Sequence, residues 1–334
     1  VLAITGTNGK TTTKELVSAV LGSQYDIINT QGNLNNHIGV PLTLLSIRPE
    51  TEMAVVEMGA NHPGEIDTLC QIALPDYGLI TNIGKAHLEG FGSFEGVVNT
   101  KTELYRFIKA HGHSVFVNRA NELLWGLAQE QSHISYGCHC GANYPVAQGL
   151  CNPYLSVNWK KRTVQTHLVG AYNFENVAAA IAVGQYFMVD ESKIAEALEA
   201  YTPTNSRSQV IDTEHNHIIM DAYNANPTSM QAALRNFAGI CGERHLLILG
   251  DMRELGTASE EEHRNILQLM NDLGFKEACL VGPNFCACND NADWKTFARV
   301  EDLCQYVESH PIEGKTILVK GSRGIQLEKV LALL

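Results

Sequence analysis

A glycine-containing turn near the start of the chain constrains the fold more than any other sequence feature. It follows a short apolar strand, residues 1–5, and opens a helix predicted over residues 12–21. Glycines let backbone N–H groups close on phosphate oxygens, and a helix N-terminus adds partial positive charge. A turn between a strand and a helix is therefore the setting of a phosphate-binding loop. The predicted loop residues are Gly6, Thr7, Asn8, Gly9, Lys10, Thr11 and Thr12.

The spacing inside this turn is shorter than in the usual phosphate-binding pattern. The pattern G-x-x-x-x-G-K-[ST] would place its first glycine where the chain has Ile4. The cation and the hydroxyl of the pattern are present. Lys10 can reach the β- and γ-phosphates of a nucleotide, and Thr11 can bind Mg²⁺. The alternative is an ordinary glycine-rich turn between a strand and a helix.

Strand-like and helix-like segments alternate along the 334 residues, which predicts an α/β fold. We predict a central P-loop ATPase domain with a mostly parallel sheet, residues 1–205, and a Rossmann-like C-terminal α/β domain, residues 206–334. The boundary falls in residues 201–208, where proline, asparagine and serine interrupt the pattern. Further predictions are an antiparallel hairpin within residues 154–169 and helices over residues 101–110 and 326–333.

The composition limits the classes of partner and compartment. The balance of 24 basic against 36 acidic residues gives a net charge of −12, which disfavours a nucleic-acid partner. No apolar run is long enough to span a bilayer, and no signal-peptide pattern opens the chain. Two Cys-x-Cys pairs, at residues 138–140 and 286–288, lack the usual spacing of a zinc site. We therefore expect reduced thiols and a cytoplasmic location.

Two potential metal ligands follow predicted strands. Glu57 ends a buried apolar strand, and His87 follows a strand that ends near residue 83. Side chains at the carboxyl ends of parallel strands lie at the ligand-binding crevice of an open α/β sheet. With Thr11 they could surround Mg²⁺, although Mg²⁺ prefers oxygen ligands and a histidine is unusual. On this pattern alone, a solvated carboxylate and a loop-capping histidine are the stronger alternatives.

Two sets of polar side chains later in the chain have the hydrogen-bonding groups to bind a nucleotide and a substrate carboxylate, respectively. Asn173 and Asn176 share one face of a predicted helix, and their amides can donate to and accept from adenine or ribose. Helix capping by Asn173 is the alternative. Lys320, Ser322 and Arg323 follow a predicted strand, where two cations and a hydroxyl suit a substrate carboxylate. The alternative there is a charged turn.

Nine segments in order resemble the Mur ligases, and among them the MurF type. The shortened phosphate loop is similar to that of Mur ligases and folylpolyglutamate synthases. More distinctive are Asp-Ala-Tyr-Asn-Ala-Asn-Pro at residues 221–227 and Val-Lys-Gly-Ser-Arg at residues 319–323. The segments lie at residues 6–12, 32–41, 57–60, 82–89, 92–93, 173–179, 221–227, 249–256 and 319–323. Together they cover nearly the whole chain.

The resemblance implies an activity and a set of partners. It implies an ATP-dependent ligase that joins D-alanyl-D-alanine to UDP-MurNAc-tripeptide through an acyl phosphate, in cytoplasmic synthesis of the peptidoglycan precursor. The implied cofactor is Mg²⁺, and we expect a monomer. MurF proteins also carry a uridine-binding N-terminal domain, whereas Val1 here already begins the phosphate-loop strand. We therefore expect a truncated chain that binds ATP and makes little product.

The resemblance also assigns catalytic and metal-binding roles. It makes Lys10, His87 and Lys101 catalytic. Lys101 lies in a Lys-x-Glu context that is carbamylated in Mur ligases, so its carbamate is expected to complete a second Mg²⁺ site with His87. The alternative for Lys101 is a surface lysine paired with Glu103. The implied metal ligands are Thr11, Glu57, His87 and Lys101.

The implied ligand-binding residues lie in both predicted domains. Besides the phosphate loop, ATP is expected to contact Asn173, Asn176, Arg207, Asp221 and Asn224. The substrates are expected to contact Asn33, Asn35, Asn36, Lys320, Ser322 and Arg323. One departure from the family pattern is Tyr172, which stands where histidine is common, so base stacking is expected to differ.

Three other functions stay open at this point. A folylpolyglutamate synthase naturally lacks the uridine-binding domain, but the asparagine-rich residues 32–41 and residues 221–227 argue against it. Another Mur ligase would add a different amino acid. A non-catalytic ATP-binding regulatory module is disfavoured by the complete set of Lys10, Glu57, His87 and Lys101.

Overall fold

The computed structural model describes residues 1–204, 207–240 and 244–334. It divides into two compact units. The first contains Val1–His167 and Ala171–Tyr201, and the second contains Leu168–Gly170 and Thr202–Leu334. The predicted domain boundary between residues 205 and 206 lies outside the described residues. No helix in the described ranges is long and apolar enough to cross a membrane.

The first unit alternates strands and helices. Its strands are β1 (Leu2–Thr5), β2 (Ile27–Asn29), β3 (Met53–Glu57), β4 (Tyr77–Ile80), β5 (Ser114–Asn118), β6 (His133–Gly137), β7 (Tyr144–Pro145), β8 (Ala147–Cys151), β9 (Tyr154–Trp159) and β10 (Arg162–Val169). Its helices are α1 (Lys10–Gly22), α2 (Gly39–Leu44), α3 (Glu65–Ala73), α4 (Leu88–Phe91), α5 (Phe94–Lys101), α6 (Glu103–Ala110), α7 (Glu122–Ala128), α8 (Phe174–Tyr186) and α9 (Glu191–Ala200).

The main sheet of the first unit is parallel and has β1 near its centre. Among the described residues its strand order is β2-β3-β1-β4-β5-β6-β7, and each pairing is parallel. Ala3 and Ile4 point to opposite faces and are both fully buried, as in a sheet covered on two sides. Ile4 pairs with Glu57 of β3 and with Leu79 of β4. The phosphate loop, Glu57 and the segment after β4 therefore share one edge of the sheet.

A smaller sheet in the order β10-β9-β8 confirms the predicted hairpin. Strands β9 and β10 are neighbours joined by only Lys160 and Lys161, and Lys160 adopts a left-handed φ of 54°. Strands β8 and β9 are antiparallel. The buried hydroxyl of Thr166 donates to the carbonyl oxygen of Leu155 at 2.7 Å, which ties β10 to β9.

The second unit is a separate α/β structure. Its strands are β11 (Gln209–Asp212), β12 (His217–Asp221), β13 (His245–Gly250), β14 (Ala278–Val281), β15 (Lys295–Phe297) and β16 (Thr316–Lys320). Its helices are α10 (Pro227–Ala238), α11 (Ser259–Asp272), α12 (Pro283–Cys288) and α13 (Val300–Ser309). The strand order is β11-β12-β16-β13-β14-β15, with β11 antiparallel to β12 and the other pairings parallel. The predicted α/β fold class is confirmed.

Two helix predictions were wrong in detail. Residues 101–110 do not form one helix, because α5 ends at Lys101 and α6 begins at Glu103. The carboxylate of Glu103 accepts from the backbone N–H groups of Gly64 and Asp67, at 2.8 and 2.9 Å, so a long-range contact fixes the start of α6. The last predicted α-helix is a 3₁₀ helix, Leu327–Leu333. Leu327 and Val330 are buried three residues apart, the spacing that aligns side chains in that helix.

Candidate active site

The phosphate loop adopts a conformation that requires its glycines. Gly6 and Gly9 have φ values of 142° and 78°, in the left-handed region that favours glycine. A Cβ atom on Gly6 would lie 2.0 Å from Oγ1 of Thr81, so the loop and the segment after β4 touch at this point. Gly9 caps the N-terminus of α1, which begins at Lys10. The predicted strand, turn and helix are thus in place.

Hydrogen bonds fix the loop to the segment after β4. The backbone N–H of Thr7 donates to the carbonyl oxygen of Asn82 at 2.9 Å. The backbone N–H of Asn8 donates to Oδ1 of Asn82 at 3.0 Å, and Nδ2 of Asn82 returns a bond to the Asn8 carbonyl at 3.1 Å. Sequence reasoning noted Asn82 only as part of a family segment. Its hydrogen bonds with Asn8 depend on which strands are neighbours in the sheet, and the sequence alone does not give that order.

The ammonium group of Lys10 lies against the backbone of the phosphate loop. Nζ of Lys10 donates to the carbonyl oxygens of Gly6 and Thr7, both at 2.9 Å. Thr11, the next residue of α1, is buried, with 3% of its surface exposed. The loop therefore collects an ammonium group and a hydroxyl at the positive end of a helix, the groups that bind a polyphosphate and its metal.

Glu57 is a buried carboxylate with one oxygen left unpaired. It ends β3 with 1% of its surface exposed. Its Oε1 accepts from Nδ2 of Asn35 at 2.8 Å, and its backbone N–H donates to Oγ1 of Thr30 at 2.9 Å. Its Oε2 is buried and, among the residues that the structure describes, has no hydrogen-bond partner. An orphaned, buried carboxylate oxygen beside a phosphate loop fits a hard cation such as Mg²⁺.

Lys101 is buried rather than a surface residue. Only 2% of its surface is exposed, and Glu103 accepts instead from the backbone N–H groups of Gly64 and Asp67 at the start of α3. Burial, with a further contribution from the positive charge of Lys10, lowers the pKa of Lys101 to about 7. Its Nζ lies 5.7 Å from the ring centroid of Phe91. A large fraction of this amine is therefore neutral near pH 7.

His87 approaches the same aromatic ring. It precedes α4 with a left-handed φ of 50°, and its ring centroid lies 6.2 Å from that of Phe91 in an edge-to-face arrangement. His87 and Lys101 therefore both lie near the ring of Phe91. Within the described residues no group of three or more His, Cys, Asp or Glu side chains forms a metal-binding cluster. A magnesium ion here would need Thr11, a phosphate oxygen or water among its ligands.

Asn173, which precedes α8, and Asn176 of α8 form a buried network with α1. Asn173 and Asn176 expose 3% and 5% of their surface. Nδ2 of Asn176 donates to Oδ1 of Asn173 at 2.9 Å, and Oδ1 of Asn176 accepts from the hydroxyl of Thr13 at 3.0 Å. A Cβ atom on Gly9 would lie 2.5 Å from Oδ1 of Asn176. The amide pair therefore abuts the phosphate loop.

The asparagines of the loop before α2 have different partners. Asn35 orients Glu57, as described above. Oδ1 of Asn36 accepts from the backbone N–H groups of Ile38 and Gly39 at 3.1 and 3.0 Å, which organises the turn into α2. Asn33 is exposed, and its carbonyl oxygen accepts from the N–H of Asn35 at 2.8 Å. Asn33 and Asn36 are both exposed, whereas Asn35 is partly buried.

In the second unit, Lys320 is engaged in a buried ion pair. Its Nζ, on a side chain that is 2% exposed, lies 2.6 Å from Oδ2 of Asp221. It also donates to the carbonyl oxygen of Asn224 at 3.3 Å. Ser322 is buried and accepts from the backbone N–H of Arg253 at 2.9 Å. Lys320 thus joins the ends of β12 and β16.

Two arginines of the second unit surround one tyrosine. The guanidinium carbon of Arg207 lies 3.7 Å from the ring centroid of Tyr223, and that of Arg323 lies 5.2 Å from it. Nε of Arg207 is buried and has no hydrogen-bond partner within residues 1–204, 207–240 and 244–334. Oδ1 of Asn224 accepts from the N–H of Ala225 at 2.9 Å. The arginines therefore gather positive charge on an acidic protein, as an anionic ligand would require.

Comparison with known proteins gives consistent matches over the chain. Residues 4–184 match the Mur ligase middle domain, and residues 206–323 match the Mur ligase glutamate ligase domain. The UDP-N-acetylmuramoyl-tripeptide--D-alanyl-D-alanine ligase of Bacillus subtilis is 36% identical over 343 residues, which covers 99% of this chain and 75% of that protein. The corresponding Escherichia coli protein is 33% identical and is covered to 76%.

Solved structures agree with these sequence matches. A crystal structure of MurF from Acinetobacter baumannii superposes with a TM-score of 0.88 at 30% identity, covering 99% of this chain and 75% of that one. MurF from Thermotoga maritima, in complex with ADP, gives a TM-score of 0.86 at 25% identity and is covered to 78%. Both similarities extend over both units of this chain.

Proposed function

Because this chain belongs to the Mur ligase family, with relatives of the MurF type, we propose that it joins D-alanyl-D-alanine to UDP-MurNAc-tripeptide at the expense of ATP. A carboxylate oxygen of the tripeptide attacks the γ-phosphorus, and ADP leaves. The amine of the dipeptide then attacks the acyl phosphate carbonyl, and phosphate leaves as the amide forms. The protein's part in such a transfer is positioning and electrostatic stabilisation.

The observation that carries this proposal is the unpaired Oε2 of Glu57 beside the phosphate loop. We assign Thr11, Glu57 and His87 as Mg²⁺ ligands. Mg²⁺ bound there would neutralise charge on the transferring phosphoryl group, so that an anionic carboxylate could approach it. Lys10 adds a second positive charge from the loop. Asn35 holds the carboxylate of Glu57 in one orientation through its hydrogen bond.

Lys101 is assigned as a carbamate. A neutral lysine nitrogen attacks the carbon of CO₂, an N–C bond forms, and one proton leaves to solvent. The pKa of about 7 and the burial of Lys101 support this role, because an ammonium group cannot react with CO₂. The resulting carboxylate oxygens would be hard ligands that could hold a second Mg²⁺ together with His87.

The remaining assignments concern ligand recognition. Asn173 and Asn176 are assigned to the adenosine part of ATP, with Arg207, Asp221 and Asn224 from the second unit. We assign to the substrates Asn33, Asn35, Asn36, Lys320, Ser322 and Arg323. The domain boundary at residues 205 and 206, a monomeric state and a cytoplasmic location also belong to this proposal.

The test is phosphate release with different amine donors. The chain is incubated with ATP, Mg²⁺, UDP-MurNAc-tripeptide and either D-alanyl-D-alanine, glutamate or a diamino acid. We expect slow release that depends on the dipeptide, with the amide product detected by mass spectrometry. Preference for glutamate or a diamino acid would favour another ligase of the family. ATP binding with no amine-dependent release, even at high protein concentration, would favour a regulatory module.

A further inference from the structure

Asn82 bonds to both backbone groups of one residue in the phosphate loop. Its Oδ1 accepts from the N–H of Asn8 at 3.0 Å, and its Nδ2 donates to the carbonyl oxygen of Asn8 at 3.1 Å. A backbone N–H can only donate and a carbonyl oxygen can only accept, so this pair of bonds fits the Asn82 amide in one orientation. The carbonyl oxygen of Asn82 also accepts from the N–H of Thr7 at 2.9 Å. One residue after β4 therefore engages three backbone groups of the loop.

The neighbours of Asn82 support the same contact. The hydroxyl of Thr81, which is 4% exposed, donates to the Asn8 carbonyl oxygen at 2.6 Å. The backbone N–H of Gly84 donates to Oγ1 of Thr7 at 3.0 Å. The Asn8 carbonyl thus has a second donor, whereas the acceptor for the Asn8 N–H is the side chain of Asn82. Removing that side chain therefore acts mainly on the N–H of Asn8.

These bonds divide the loop into two parts with different tasks. The N–H groups of Thr7 and Asn8 are engaged with the segment after β4. The N–H of Thr13 makes the first bond of the helical ladder, to the Gly9 carbonyl oxygen at 2.8 Å. The N–H groups of residues 10–12 precede it, at a helix end where such groups have no partner within the helix. The start of α1, rather than the turn before it, therefore offers N–H donors to a phosphate.

We propose that Asn82 is a positioning residue that fixes the backbone of Asn8 and thereby holds the turn so that the start of α1 faces the triphosphate. The inference rests on the proposed function, which places the phosphates of ATP at this loop. Asn82 does not touch the ligand and acts through the backbone of Asn8. Gly6 and Gly9 make the turn costly to order, because glycine loses much conformational freedom. Hydrogen bonds from outside the loop offset that cost before ATP binds.

The first experiment compares ATP with inorganic tripolyphosphate as ligands of the 334-residue chain in the presence of Mg²⁺. Asn82→Ala removes both side-chain bonds to Asn8. We expect ATP affinity, measured by calorimetry, to fall by about tenfold, because the loop must then be ordered by the ligand. Tripolyphosphate affinity, measured by displacement of ATP, should fall by the same factor, because the effect lies at the phosphates. Asn82→Leu serves as a second variant if the alanine form does not fold.

Hydrogen exchange at the Asn8 amide tests the positioning role without any ligand. In the wild-type chain this N–H should exchange slowly, because it is bonded to Oδ1 of Asn82. In Asn82→Ala it should exchange at least about tenfold faster. The N–H of Trp125 in α7, which donates to the Asn121 carbonyl oxygen at 2.8 Å, should keep its rate. A variant that only destabilises the first unit would instead exchange faster at both positions.

A matched asparagine provides the control. Oδ1 of Asn143 accepts from the N–H and the hydroxyl of Ser135, both at 2.8 Å, and Asn143→Ala should leave ATP affinity and Asn8 exchange unchanged. The inference would be overturned, with the proposed function intact, by unchanged ATP affinity in both Asn82 variants or by a loss of ATP affinity without a loss of tripolyphosphate affinity. Equal exchange of the Asn8 N–H in wild type and Asn82→Ala would overturn it as well. Failure of the wild-type chain to bind ATP would overturn the proposed function and this inference with it.

Discussion

At the scale of single residues, the site depends on polar groups that are buried without full hydrogen bonding. In the described part of the chain Oε2 of Glu57 has no hydrogen-bond partner, and the amine of Lys101 is enclosed with a lowered pKa. Burying such groups costs free energy unless a ligand compensates for it. We propose that a cation bound at Glu57 and the reaction of the Lys101 amine with CO₂ offset this cost.

Removing the charge of Glu57 should weaken the metal site. In Glu57→Gln the amide replaces a carboxylate oxygen, and we expect apparent Mg²⁺ affinity in ATP turnover to fall by roughly tenfold to a hundredfold. Titrations of Mg²⁺ at saturating ATP measure this. Glu52→Gln, an exposed carboxylate just before β3, is the matched control and should behave as the wild type. Equal Mg²⁺ dependence in the two variants would remove Glu57 from the metal site.

Carbamylation of Lys101 can be observed directly. With ¹³C-bicarbonate, wild-type chain should show a carbamate carbon resonance, and Lys101→Arg should show none, because a guanidinium group stays protonated. Turnover should drop by at least about a hundredfold in Lys101→Ala if a ligand of the second metal is lost. Lys109→Ala, an exposed lysine of α6, is the control. Full activity of Lys101→Ala, unchanged by bicarbonate, contradicts the assignment.

At the scale of elements, sequence periodicity predicts those strands, turns and helices that are determined by residues close together in the sequence. The strand, turn and helix of the phosphate loop, the hairpin at β9 and β10, and a mostly parallel main sheet in the first unit were predicted, whereas the parallel strands β2, β6, β7 and β15 were not. The break between α5 and α6 was missed because its cause is distant in sequence: Glu103 binds backbone N–H groups of residues 64 and 67. Likewise, the bonds of Asn35 to Glu57 and of Asn82 to Asn8 depend on which strands are neighbours.

The turn between β1 and α1 should tolerate no side chain at Gly6. In Gly6→Ala the new Cβ would meet Thr81 at 2.0 Å and the φ of 142° would be strained. Either effect costs roughly 1 kcal/mol or more and displaces the loop. We therefore expect ATP affinity to fall by at least about tenfold. Gly126→Ala in α7, where nothing lies within 4 Å, should bind ATP normally. Equal ATP affinities of the Gly6→Ala and Gly126→Ala variants would mean that the loop does not bind the phosphates.

At the scale of the whole molecule, each of the two units has its own core and its own buried polar contacts. In the second unit, His263 is fully buried. Its Nε2 accepts from the backbone N–H of Met252 at 3.1 Å, while Nδ1 lies 2.7 Å from the Ser259 carbonyl. Asp251 accepts from the N–H groups of Asn284 and Phe285. These contacts make the family segment at residues 249–256 a structural element, which agrees with a sequence that indicates no catalytic role for it.

Acid should destabilise the second unit through this histidine. Burial lowers the pKa of His263 below its ordinary value of 6.5, so the native ring is neutral. As pH falls, His263 gains its proton in the unfolded chain before it does so in the native one. Its contribution to the free energy of unfolding is therefore present above about pH 6.5 and is lost below it, by at most about 1.4 kcal/mol per pH unit. Urea unfolding between about pH 8 and pH 5 measures the loss. His263→Gln should reduce this pH dependence, and an unchanged slope would contradict the assignment.

The central claim is that the phosphate loop and Glu57 together hold the metal-bound triphosphate. A crystal of the chain grown with a non-hydrolysable ATP analogue and Mn²⁺ in place of Mg²⁺ tests it, because Mn²⁺ gives an anomalous signal. We predict a peak between Oγ1 of Thr11 and Oε2 of Glu57, with the phosphates on residues 6–12. Nucleotide bound away from this loop, or a metal peak out of reach of Glu57, would contradict the account.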